Sequence, residues 1–361
     1  MVWPSISAIL NTLYLALFAA FIIYGQRIQT SVTLLGVRRK LKRLETLKDR
    51  AHTQLLNQIL PFCKDQTLVE GTLDRLENSF MITPANLDPA GLVRKLEHVL
   101  DTHDERLKSD VRHLASTATE VQVDNLTDLL EVSIGLQSMF RVVRHYYLLS
   151  KKQGGLLALA QLQMNLPSIM EEAEAYDSAT EAFSSGKAVG DGIGPLVAKR
   201  FADGTSAKEF VQDTNVYETT YQNRKLLVVR AKGPGGNVGK PGLAVEKLIC
   251  EGRGICRVIT VDAGLKLEGE TSGEIAEGTG AAIGGPGNER YHIEEAATKN
   301  NVALDAVIVK MSSKEAISTL TPELRKAADA AYDKVLDIVQ NETAPGDTVI
   351  VAGVGNTIGI D

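Results

Sequence analysis

Glycine is spread so unevenly along this chain that two kinds of structure are required. Of 31 glycines in 361 residues, 5 precede residue 151 and 26 follow it. A glycine inside a helix costs about 1 kcal/mol relative to alanine, so the glycine-poor first half suits helices. Clusters of glycine suit turns and places where backbone approaches backbone or ligand closely. The expected fold class is an α/β carboxy-terminal domain, with a mixed or mostly parallel sheet and glycine-rich loops, preceded by an α-helical region and one transmembrane helix.

In the second half, glycine clusters follow strand-like runs. Leu226–Val229 opens onto Gly233-Pro-Gly-Gly-Asn-Val-Gly-Lys-Pro-Gly242. A helix over 243–250 and a strand over 257–261 follow, which makes a βαβ-like unit and implies parallel neighbours. Gly233, Gly235, Gly236 and Gly239 can present backbone N–H groups to an anion, with Lys240 as a point charge. The loop is not a P-loop: position 234 is proline where the first glycine is needed, and Pro241 follows Lys240 where Ser or Thr is needed. Asp262 ends the 257–261 strand. Gly284, Gly285 and Gly287 then lead into a helix capped by Asn288, with Arg290 in its first turn, able to reach an anion bidentately. Thr348–Val351 reads as a last strand, running into Gly355 and Asn356. Ligands of open α/β sheets gather at the carboxyl ends of strands, so these loops together outline a site for a phosphate-bearing small molecule. Without a ligand, the same glycines serve tight turns only. Asp191 reads as a helix cap or a site acid. Glu268, Glu270, Glu274 and Glu277 read as solvated charge, with a divalent cation as the alternative.

The totals narrow the classes. Net charge is −6 and pI about 5.7, and aromatic residues make up 5%, a balance that speaks against a nucleic-acid partner. Three cysteines form no disulfide framework. Five of the six histidines lie in the helical half, and none forms the i, i+4 pair with an intervening acid used by metal-binding helices.

Residues 5–25 carry no charge and are strongly apolar, and about 20 such residues cross a bilayer core. Trp3 and Tyr24 flank the stretch, and Arg27, Arg38, Arg39, Lys40, Lys42 and Arg43 follow it. The positive-inside rule then gives a single-pass plasma-membrane protein with an outer amino terminus and a cytoplasmic bulk. The expected organisation is an extracytoplasmic end (1–4), a transmembrane helix (5–25), a basic amphipathic stalk (26–60), a helical domain (61–183) and an α/β glycine-rich ligand-binding domain (184–361). Near-heptad spacing of Leu34, Val37, Leu41, Leu44 and Ala51 offers homo-oligomerisation through the stalk, or an ordinary helix packed on its own domain.

Several long motifs carry a family resemblance. Gly-Asp-Gly-Ile-Gly-Pro195, the 233–242 loop, Asp-Ala-Gly-Leu-Lys-Leu-Glu-Gly269, Gly-Gly-Pro-Gly-Asn-Glu-Arg-Tyr-His-Ile-Glu-Glu295 and Gly-Val-Gly-Asn-Thr-Ile-Gly359 resemble the archaeal domain of unknown function 1512 family. Asn-Leu-Asp-Pro89 and Arg-His-Tyr-Tyr-Leu-Leu149 do so too, so the match spans nearly the whole chain. It implies an archaeal membrane protein and supplies no activity. Over about residues 258–320, Asp262-Ala-Gly264, Arg290-Tyr-His292 and the run Asp305–Ile317 are remotely similar to diadenylate cyclase domains. Glycine and alanine are exchanged in the first motif, and the second lacks its second arginine. The readings that follow are a nucleotide or phosphorylated-metabolite binder, a nucleotide-processing enzyme with Asp262 as candidate catalytic acid, and a structural membrane adaptor. A divalent metal accompanying a nucleotide is the cofactor these readings admit.

Overall fold

The computed structural model describes residues 6–84, 89–153 and 156–361. They fall into two compact units: the chain up to Asp49 with Leu136–Ala173, and Arg50–Gly135 with Glu174–Asp361. The first half is helical, as its glycine poverty requires. Its helices are α1 (Ile6–Ile59), α2 (Val69–Glu77), α3 (Pro89–Leu114), α4 (Glu120–Gln153) and α5 (Leu156–Ser185). Along α1, Val37, Leu44, Leu47, Ala51, Leu55 and Ile59 are buried at intervals of three, four and seven residues. The basic run Arg38–Arg43 stands on the exposed side. The near-heptad face is thus covered within the chain, as an amphipathic helix requires.

The membrane expectation is corrected. Among the described residues no helix is long and apolar enough to cross a membrane. Helix α1 then continues without a break into charged sequence. The transmembrane helix at 5–25, the single-pass plasma-membrane localisation, the outward amino terminus and the membrane as partner are therefore not supported. The outer end at 1–4 with Trp3 lies outside the described residues.

The second half forms one seven-stranded mixed sheet. Its strands are β1 (Lys208–Val211), β2 (Thr214–Tyr221), β3 (Arg224–Ala231), β4 (Ile255–Leu265), β5 (Ile275–Thr279), β6 (Ala303–Met311) and β7 (Thr348–Gly353), in the order β1-β2-β3-β7-β4-β6-β5. The central four are parallel, and β1, β2 and β5 add antiparallel edges. Strands covered on both faces need apolar residues on both, and β3 meets this with Leu226-Leu-Val-Val229. Leu226 and Val228 pack with α6 (Ile193–Ala202) and α10 (Pro322–Glu342). Leu227 and Val229 pack with α7 (Pro241–Cys250) and α8 (Asn288–Asn300) on the other face. A short α9 (Ser313–Ile317) opens with a capping box between Ser312 and Glu315.

Helix α6 lies so close to the sheet that only glycine fits at the crossing. A Cβ on Gly194 would collide with the carbonyl oxygens of Val354 and Val261, and one on Gly353 with that of Gly194. Backbone oxygens cannot swing aside as side chains do, so Gly194→Ala should lower unfolding stability by at least about 1–3 kcal/mol, the scale of an overpacked core. Urea denaturation checks this, and an unchanged midpoint would contradict the close crossing.

Candidate functional site

The loops after β3 and β7 are laced together at the carboxyl edge of the sheet. Strand β3 enters a cis Gly233–Pro234 peptide, and the loop ends at Lys240, the residue before α7, with Pro241 at the first helical position. The tail after β7 lies against this loop. Thr357 N donates to Asn237 O (2.9 Å) and Gly359 N to Pro234 O (2.9 Å). The Thr357 hydroxyl lies 2.9–3.1 Å from the carbonyls of Lys232, Gly235 and Asn237. A Cβ on Gly233 would strike the Ile360 carbonyl, and one on Gly235 or Gly236 the carboxylates of Asp124 or Asp128. These three glycines give close packing against the tail and against α4.

Several amides of these loops serve the chain's own side chains, carboxylates among them. Gly242 N and Leu243 N, at the start of α7, donate to Glu289 Oε2 at 2.7 and 3.3 Å. Gly284 N donates to Asp262 Oδ2 (3.0 Å), and Ala263 N to Asp262 Oδ1 (2.7 Å). Asn356 N donates to Asp191 Oδ2 (2.8 Å). Gly236 N donates to Asn125 Oδ1 (2.9 Å).

Two adjoining cavities open between these loops and helices α3 and α4, each of about 320 Å³, and both include Asp101, Asp104, Gly239 and Lys240. The first also carries Glu105, Asp124, Asp128, Glu131 and Asp213; the second adds Asp191, Asp262 and Glu289. Ten carboxylates therefore face two lysines, Lys108 and Lys240. Both lysines are engaged: Lys240 Nζ lies 2.7 Å from Asp101, and Lys108 Nζ 2.6 Å from Asp124.

Burial raises most of these acids. Asp128 is pushed up to about 7, by desolvation first and then by the charges of Asp124 and Asp191, although Asn356 Nδ2 donates to it at 3.1 Å. Glu131 is open to the cleft on one side, yet the surrounding protein and Asp128 push it up to about 8. Asp262, 5% exposed, is raised well above the usual carboxylate range by burial and by Asp191. Asp191, Asp104, Asp124 and Glu289 shift upward, also chiefly through desolvation.

The structure brings Gly236, Gly239, Lys240 and Asn356 to the first cavity and Gly239, Lys240, Asp262, Gly284, Gly285 and Gly355 to the second. Arg290 stands apart from Lys240. It lines a third cavity of about 490 Å³ with Asp262 and Gly284, and its Nε pairs with Glu294 on its own helix (2.7 Å). Gly233, Gly235 and Gly287 line none of the three. The cap of α8 is Gly287, at a left-handed φ of 95°, with no side-chain cap bond, so Asn288 is already helical. His292 lies between Glu246 (2.6 Å) and Glu97 (3.3 Å). Glu270 and Glu274 pair with Lys310, and Glu277 with Lys334.

Sequence reasoning missed the acidic wall. Its signal was present: Asp124, Asp128 and Glu131 recur at i, i+4 and i+7 along α4, on one helical face. Among the described residues, no three acid or histidine ligand atoms of the cleft gather closely enough to hold one ion; the single group that does is His52, Asp74 and Glu77, elsewhere.

The chain matches the protein of unknown function (DUF1512) N-terminal domain over residues 11–186 and the domain of unknown function (DUF1512) C-terminal over 189–361. It belongs to the DUF1512 family. No curated protein and no solved structure matches it.

The raised acids make stability depend on pH. The Asp128 carboxyl titrates in the ordinary carboxylate range when unfolded and is pushed up to about 7 by burial when folded. Between these values the folded chain keeps a proton that the unfolded chain releases. Stability is therefore greatest below the window and falls as pH rises through it. Urea midpoints measured from about pH 4 to about pH 7 should decline, and Asp128→Asn should flatten the decline; an unaltered slope would remove Asp128 from this account.

Proposed function

We propose that this DUF1512 protein binds a divalent cation together with a phosphate-bearing ligand, nucleotides being the leading class, in the acid-lined cleft at the carboxyl edge of its sheet. The observation that carries this reading is the excess of ten carboxylates over two lysines around loops whose amides already serve Glu289, Asp262 and Asp191. A bare phosphate would meet net negative charge. A phosphate carrying Mg²⁺ or Mn²⁺ would not, because the ion shares its coordination between phosphate oxygens and one or two protein carboxylates. Such an ion needs no cage of three protein ligands, consistent with the cleft's lack of one among the described residues. Asp191 and Asp262 are the carboxylates best placed to meet it, since both line the second cavity beside Gly284, Gly285 and Gly355. Lys240, on the same wall, supplies the cation for a phosphate oxygen.

A second reading makes the same site an enzyme. Asp191 and Asp262 share one cavity, and after burial the charge of Asp191 further raises the cost of ionising Asp262. Such a pair can hold a proton between its members and act as general acid and base. The remote diadenylate cyclase likeness adds Asp262 to this reading. The absent second arginine, with Arg290 held by Glu294, speaks against cyclisation.

Calorimetry of the full chain with ATP and ADP separates these ideas. Binding should require Mg²⁺ or Mn²⁺ and vanish in EDTA. Asp262→Asn and Asp191→Asn should each weaken it at least tenfold, and Lys240→Ala by about 1–3 kcal/mol, the scale of a charge-assisted hydrogen bond. Nucleotide binding that is indifferent to metal, or to all three substitutions, would defeat the proposal. Metal-dependent turnover of ATP, lost in Asp262→Asn, would favour the enzyme.

A further inference from the structure

A second cluster of ligating side chains lies away from the cleft. His52 lies on α1, and Asp74 and Glu77 lie three residues apart on one face of α2. One ligand atom from each residue lies within 4.8 Å of the other two. His52 Nδ1 is 3.0 and 2.9 Å from the two oxygens of Glu77. Glu77 is 7% exposed, and the Ser133 hydroxyl of α4 donates to its Oε1. Asp74 is exposed and pairs with no cation among the described residues. A histidine–glutamate pair would be complete without Asp74, so the third ligand on the open side needs its own account.

We propose that His52, Asp74 and Glu77 bind one divalent transition-metal ion of the Zn²⁺ or Mn²⁺ kind. One imidazole and two carboxylates, with no thiolate, suit such ions better than Cu⁺. Bonds of about 2.0–2.2 Å in a tetrahedral site set neighbouring ligand atoms roughly 3.3–3.6 Å apart. The observed histidine–glutamate distances of 2.9 and 3.0 Å are shorter, so the ion needs these two side chains to part by about half an ångström. Ser133 orients the Glu77 carboxylate, as hydrogen-bond partners of metal ligands do. Asp74 closes the solvent side, and water fills the remaining positions. The ion would link the second half of α1 to α2.

The test is zinc and manganese titration of the full chain after EDTA dialysis, with no nucleotide present, by calorimetry and thermal unfolding. The wild type should bind one ion and gain thermal stability. Asp74→Asn, an exposed substitution that should leave circular dichroism unchanged, should weaken binding at least tenfold and abolish the thermal gain. His52→Ala should do the same. Asp262→Asn, in the cleft, should leave this binding intact, which separates the outcome from that of the nucleotide site. Wild-type affinity in Asp74→Asn, loss of binding in Asp262→Asn instead, or no ion bound by the wild type would each overturn the proposal.

Discussion

Three carboxylates hold the glycine loops in shape, and the cleft depends on them. Glu289, on α8, takes the first amides of α7. Asp262, inside β4, takes the amide of Gly284 from the loop before α8. Asp191, just before α6, takes the amide of Asn356 in the tail after β7. Each clamp joins parts of the chain distant in sequence, and each satisfies a backbone donor that would otherwise be left without a partner. A charged acceptor makes a stronger bond than a neutral one, which helps to fix glycine-rich segments that would otherwise lose much entropy on ordering.

Fixing the loops this way concentrates negative charge. Two like charges about 4 Å apart repel by roughly 4 kcal/mol even at an effective dielectric of about 20. A partly exposed ion pair returns only about 0–1 kcal/mol, so Lys108 and Lys240 cannot offset ten neighbouring acids. Burial first, and this repulsion after it, hold Asp128 and Asp262 above the usual carboxylate range. Acids kept in such a state, in a cavity, are more characteristic of ligand sites than of stabilising cores. A cation entering the cleft would release the same repulsion, so proton and metal compete for one set of groups.

The parallel core of the sheet was legible because each strand carries an unbroken apolar run, and the helical first half because glycine is rare there. The antiparallel edge strands β1 and β2 escaped notice: Lys208–Val211 and Thr214–Tyr221 are polar and only partly buried, without the continuous run that marks a covered strand. The positions of the glycine loops were legible, but not the carboxylates that face them: Glu289 takes the first amides of α7, and no local pattern links it to Gly242. The partner of Arg290 is local, since Glu294 lies one turn along α8 within reach of its guanidinium. The amino-terminal span is not borne out: among the described residues no helix is long and apolar enough to cross a membrane.

The family's two domain descriptions meet between residues 186 and 189, yet the cleft belongs to neither side alone. Asp101 and Asp104 come from α3, and Asp124, Asp128 and Glu131 from α4, while the glycine loops come from the α/β domain. Gly235 and Gly236 are the contact: with any side chain there, the loop could not approach Asp124 and Asp128. The α/β domain by itself would keep Asp191, Asp262 and Glu289 but lose the acidic wall opposite them. With that wall removed, Lys240 would lose its partner Asp101 and become a free cation beside the loop. The remaining site would stay acidic but less so, with Asp191, Asp213, Asp262 and Glu289 against Lys240. The helical half thus supplies most of the charge of the cleft, and the glycine-rich half its loops.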